Sequence, residues 1–141
     1  MGPDLVAEGL AIRLADQIND LTWSADTTGS TLYVGEIAYP DDRPLDTITI
    51  ISIPPSEVAE AGIGMISYGY QLDALGGGRL GAAGLAHDAY MALHGWSGTV
   101  TVDGEALEIG PVFAQSAPTA EAEDVEGRRM WTFPVDVWLT V

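Results

Sequence analysis

The stretch IGMISYGYQLDAL, residues 63–75, alternates with period two. Ile66, Tyr68, Tyr70 and Leu72 project to one side, and Met65, Ser67, Gly69 and Gln71 to the other. That is the pattern of a strand half-buried on its larger side chains. The last stretch, MWTFPVDVWLTV, repeats it, with Phe133, Val135, Val137, Leu139 and Val141 on one face and Trp138 on the other, beside Asp136 and Thr140. Strands with one strongly apolar face require a sheet covered on that side.

Two helices supply the cover. Over residues 3–21, Pro3 and Asp4 suit a first turn, and Val6, Leu10, Leu14, Ile18 and Leu21 form a stripe at helical spacing. Leu5 and Ile12 lie off that stripe, so this helix is expected to touch two neighbours. A second helix is expected from about Arg79 to His94, with Ala82, Leu85, Ala86, Ala89 and Leu93 on one face.

Shorter strands are predicted at STLYVGEI (30–37) and DTITIISI (46–53) from their β-branched content. The latter is apolar on both faces (Ile48 and Ile50; Ile51 and Ile53), as expected of a strand covered on both sides. Between them AYPDDRPL reads as an exposed hairpin or loop, and PPSEVAEAG breaks the chain again. GTVTVDGEALEIG reads as two strands joined at Asp103–Gly104, a favoured two-residue turn. APTAEAEDVEGR is acidic and carries no structural pattern. Pro134 cannot donate to a ladder, which predicts an edge position for the start of the last strand. The sum is an α+β fold: a mixed, largely antiparallel sheet with two helices packed on one face.

At 141 residues with 47% hydrophobic content, the chain is long and apolar enough for one domain with a real core. Its charge limits the partners. Twenty-one acids stand against five arginines and no lysine, a formal net charge of −16. Binding nucleic acid through counterion release needs Lys or Arg against phosphate, and an anionic membrane repels such a surface. The same charge suits a wall past which DNA must slide without sticking, though composition alone favours a merely soluble acidic surface. There is no cysteine, hence no thiolate chemistry and no disulfide. No secretory signal is read at MGPDLVAEGL, and no segment is long and apolar enough to span a membrane.

No catalytic or metal-binding set is read from the residues, and no cofactor is expected. His87 and His94 lie seven residues apart, roughly 10 Å along a helix, too far to share a metal. His94 falls in the last helical turn, where an imidazole meets free carbonyls, and Gly95 suits the left-handed cap. GGGRLG (76–81) lacks the lysine of a phosphate loop. Asp41, Asp42 and Asp46 do not fit a calcium-loop spacing. The candidates are therefore interface residues. A second, partly apolar helix face carries Leu80, His87, Met91 and His94, with Trp96 following at once. A loop folding over this face is the equal alternative to a contact there. Arg79, His87, Met91 and Trp96 form one expected contact surface. Arg128, Arg129 and the outward Trp138 form another. Arg128 and Arg129 have a local alternative, pairing with the acidic loop of Glu121, Glu123, Asp124 and Glu126.

In layout the chain resembles the tail terminator (minor capsid or tail-completion) proteins of long-tailed phages. The resemblance lies in the helix DLVAEGLAIRLA, then LYVGEI, a Pro/Asp-rich connection, the strand MISYGYQL and the helix LAHDAYMALHG. The turn WSG and the closing FAQSAPTAEAEDVEGRRMWTFPVDVWL complete it. It covers residues 1–141 as a single terminator-like domain and is one of order and pattern, with no diagnostic motif. It implies a structural, non-enzymatic virion protein. Such a protein forms a hexameric ring that caps the tail tube protein, stops tube growth and meets a head–tail connector or stopper protein. DNA passes through without specific binding, and the protein resides in the neck of the virion after assembly in the host cytoplasm. A different neck or tail component, such as a connector or tube protein, and a small-ligand-binding or hydrolytic α+β domain are the alternatives.

Overall fold

The computed structural model describes residues 3–35, 46–53, 58–60, 64–76, 81–121 and 129–140. In chain order the elements are α1 (Pro3–Gln17), β1 (Leu32–Val34), β2 (Thr47–Ser52), β3 (Val58–Glu60), β4 (Met65–Gly76) and α2 (Gly81–Leu93). β5 (Gly98–Val102), β6 (Glu105–Ile109), β7 (Val112–Ala114), β8 (Thr119–Glu121) and β9 (Arg129–Thr140) follow. The main sheet runs β1-β2-β4-β9-β7, with β3 extending the β2 side of β4 and β8 the β7 side of β9. Among the described residues β1 and β2 pair parallel and the other pairings of this sheet are antiparallel. The fold is α+β, with a mixed, largely antiparallel sheet and both helices on one face.

The spine is the twelve-residue pairing of β4 with β9, from Met65↔Thr140 to Gly76↔Arg129. Register sets Tyr68, Tyr70 and Leu72 beside Val137, Val135 and Phe133, all buried toward the helices. Val141, the last of that predicted row, lies outside the described residues. Ile48, Ile50 and Leu32 continue this face outward. On α2 the buried face is Ala82, Leu85, Ala86, Ala89, Ala92 and Leu93. Four alanines in that set let the helix backbone lie close over β4 and β9.

Helix α1 touches two neighbours, as its off-stripe residues require: α2 with β1 and β2 on one side, and the β5–β6 hairpin on the other. The hairpin side is close because Gly9 has no side chain; a Cβ there would stand 2.7 Å from Ile109 Cδ1. The hairpin closes through Asp103 (φ 50) and Gly104 (φ 79), both left-handed, the conformation a two-residue turn demands.

Several expectations are corrected. α1 stops at Gln17 instead of Leu21, although Ile18 and Leu21 stay buried. The polar side chains of Asn19 and Asp20 favour a turn over continued helix. Parallel pairing of β1 with β2 rules out a hairpin between them; residues 36–45 lie outside the described set, as do Asp41 and Asp42. Strand β3 falls inside the stretch expected to break the chain, and β8 inside the acidic stretch expected to lack structure.

The strand bearing Pro134 is no edge: β9 lies between β4 and the β7/β8 pair. The proline instead explains a gap. Gln115 N–H donates to Pro134 O at 3.0 Å, but the reciprocal bond of an antiparallel pair needs an N–H that proline lacks. β7 therefore ends at Ala114, and pairing resumes only with β8 at Thr119. Burial of β2 is also uneven on the face away from the helices. Thr47 and Thr49 are buried there, while Ile51 is half-buried.

Candidate interaction surfaces

The sequence-predicted residues that are described divide among four places. His87 and Met91 are exposed on the solvent side of α2, Met91 at 64%. Met91 lines a groove of about 450 Å³ with Asp88, Ala92 and residues 17–20, which end α1 and make the turn after it. Arg79, like Leu80, lies outside the described residues, as does Arg128.

Trp96 does not join Met91. It is half-buried at the other side of α2's end, where the Arg13 guanidinium sits 4.8 Å above its ring. Arg13 Nε also donates to Ala92 O at 3.2 Å, tying α1 to the last turn of α2. A guanidinium over indole is a favourable cation–π arrangement, and partial burial strengthens it. Ile12, Arg13, Asp16, Trp96 and residues 98–101 of β5 line a groove of about 400 Å³ here. Asp16 accepts from Gln17 Nε2 at 2.9 Å.

Arg129 and Trp138 are not brought together. Nine residues apart on one strand, they stand roughly 30 Å from each other and on opposite faces. Arg129 is exposed at the start of β9. Trp138 is half-buried on the face away from the helices. With Met65, Pro111 and Phe113 it forms an almost wholly apolar depression of about 220 Å³. Phe113 is 46% exposed there. Next to this patch the face turns polar: Gln115 Nε2 donates to Asp136 at 2.8 Å, and Gln71 Nε2 to Asp73 at 2.7 Å.

His94 does something different from the expected helix cap. Its Nδ1 accepts the backbone N–H of Ala114 at 3.0 Å, which places the ring proton of the neutral form on Nε2. Gly95 N–H donates to Val112 O (2.7 Å), and Val112 N–H donates to Trp96 O (2.9 Å). Gly95 makes the turn possible with φ +80, as expected of the position after a helix. The end of α2 thus seals the open edge of β7, the protection an edge strand needs. Tyr90, one helical turn before, stacks on His94 (5.2 Å between centroids, 15°) and meets Phe133 edge-on at 6.0 Å.

Replacing His94 with alanine should cost about 1 kcal/mol, the net worth of one hydrogen bond. Amide exchange checks this locally. Ala114 N–H should lose protection in His94→Ala while Phe113 N–H, bonded into β9, keeps it.

Among the described residues no group of three or more His, Asp or Glu is arranged to hold a metal. Asp26, on a fully exposed turn, has its carboxyl held below the usual range by the Ser24 hydroxyl (2.6 Å) and the Thr28 N–H (3.0 Å). Among the described residues no helix is long and apolar enough to cross a membrane. No protein-family model matches the chain, and no curated protein matches it in sequence.

The sequence reading missed Arg13 and Phe113. Arg13 carried one signal: it is the sole basic residue of the first helix, in a chain with five. Phe113 alternates with Val112 and Ala114 in a segment too short to show a period.

Proposed function

We propose that this chain is a tail terminator protein of long-tailed phages, a structural component without an enzymatic role. In this reading it assembles as a hexameric ring on the end of the tail tube, stops tube growth and presents a face to the head–tail connector or stopper. DNA passes through the ring and is not gripped, and the protein resides in the neck of the virion.

The observation that carries the proposal is the apolar patch of Met65, Pro111, Phe113 and Trp138 on the sheet face opposite the helices. An aromatic pair of exposed Phe113 and half-buried Trp138, bordered by the hydrogen-bonded Gln115 and Asp136, has the make-up of a protein contact, apolar in the middle and polar beside it. Exposed Met91 on α2 adds a second such point. The layout of the sequence resembles that of the family, and the charge of −16 suits a conduit wall that repels DNA.

Light scattering on the purified chain across concentrations tests it. A discrete species of six subunits is the expected result. Open-ended growth would instead identify a tube protein, and failure of the chain to bind tube ends in any state would end the terminator reading.

A further inference from the structure

We infer that the outer edge of β5 is filled by β8 of a second copy of this chain, with Glu121 of that copy meeting Arg13. The inference rests on the self-assembly reading above and names the contact that would build the ring.

The β5 edge is open by the arithmetic of its turn. In a two-residue hairpin the pair flanking the turn, Val102↔Glu105, exchanges both backbone bonds, and bonded pairs then recur at every second residue. Val100 and Gly98 therefore face β6, while the N–H and C=O of Thr99 and Thr101 face away from it. Those four groups have no partner among the described residues. Both threonines are exposed, and no charged residue lies between Gly98 and Val102 to discourage another strand. On β6, by contrast, the corresponding edge carries exposed Glu105 and Glu108, the usual guard against pairing.

The groove along that edge is chemically selective. It holds Arg13, whose guanidinium reaches an indole face and one carbonyl but no carboxylate within salt-bridge distance among the described residues. Held on Trp96, it is a preset cation on a chain of net charge −16, so the partner it suits is an acidic one.

Strand β8 fits that description. It ends on Glu121, is exposed along all three residues and, among the described residues, pairs with β9 alone, so none of them fills its other edge. Its position matters as much as its composition. β8 borders Met130–Thr132 at one end of β9, whereas β6 leads to Gly110, bonded to Trp138 at the other end. Eight residues of strand separate those ends, roughly 26 Å. Two different surfaces far apart on one molecule make a head-to-tail contact, the kind that closes rings when the rotation permits. Strand addition supplies main-chain bonds, and the Arg–Glu pair sets the register.

The chain has no cysteine, so a disulfide can report the contact without a background. Thr101→Cys chains mixed with Ala120→Cys chains and oxidised should give a mixed disulfide dimer in high yield. Ala106→Cys mixed with Ala120→Cys, placed on the guarded edge, should not. Thr101→Pro removes an N–H that makes no ladder bond. It should keep the far-ultraviolet circular dichroism of the native chain and weaken self-association at least tenfold by light scattering. Arg13→Gln gives the same readout should the proline variant fail to fold.

Equal cross-linking from both edges, with proline and glutamine variants that assemble as well as the native chain, would overturn the inference. Rings of six would then leave the terminator reading standing on a different contact. A native chain that stays monomeric at every concentration also overturns it, and the terminator reading is then decided by binding to tube ends.

Discussion

Phe133→Ala should destabilise the protein by about 3–5 kcal/mol, the cost of removing a buried phenyl ring and leaving the cavity behind. Phe133 is 1% exposed, pairs with Leu72 across the β4–β9 ladder and carries the edge-on contact with Tyr90. Through Tyr90 and its stacked partner His94, the ring also supports the turn that seals β7. A domain of this size holds about 5–15 kcal/mol in total, so the variant should be close to its unfolding limit. The midpoint of urea unfolding should fall with the slope unchanged, and the melting temperature by roughly 10 °C or more. Met91→Ala is the internal control: with its side chain 64% exposed, it should stay within about 0.5 kcal/mol of the native chain. A Phe133→Ala midpoint equal to that of Met91→Ala would mean that the helix layer does not rest on β9 as described.

Those two residues mark what the sequence made legible. Phe133 belongs to an alternation several residues long, and such a pattern survives any tertiary context because burying one face is its only outlet. The same holds for β4, for the buried face of α2 and for the Asp103–Gly104 turn, whose backbone demands are local.

Strands β3 and β8 are different. VAE and TAE contain too few β-branched or aromatic residues to announce a strand. They pair because the long strands β4 and β9 offer unfilled edges beside them. Pro134 misled for a related reason. Its missing N–H suggests an edge over the start of the strand, yet it governs a single position, the gap between β7 and β8.

The candidate surfaces were half legible. Met91 and Trp138 could be assigned to outward faces by counting residues along their own elements. The contact of Arg13 with Trp96 joins positions 83 apart, and nothing in either segment encodes the other. Grouping Arg129 with Trp138 failed because proximity in sequence along an extended strand is distance in space.

Gly110→Ala should cost about 3–5 kcal/mol, as much as emptying the core beneath Phe133, through a single added methyl group. Gly110 has φ +117, outside the regions that side chains tolerate, and strain of that kind costs about 1–3 kcal/mol. The remainder comes from contact. A Cβ at Gly110 would stand 2.6 Å from Ser97 Cα and 2.7 Å from Trp96 O. Both are backbone atoms, so relief requires moving the whole turn. That turn carries the Val112 N–H bond to Trp96 O and the Gly95 bond to Val112 O, each worth about 1 kcal/mol. Gly104→Ala separates the two causes. Gly104 also has positive φ (+79), but nothing lies within 4 Å of its added methyl, so only the conformational term of about 1 kcal/mol applies. The difference should appear in amide exchange: Val112 and Ala114 deprotected in Gly110→Ala and unchanged in Gly104→Ala. Loss of the seal would also leave the edge of β7 open beside Phe113, so Gly110→Ala should aggregate on concentration where Gly104→Ala does not. Equal stability of the two variants would show that the 94–97 turn can slide off β7 freely, and that the end of α2 does not hold the edge.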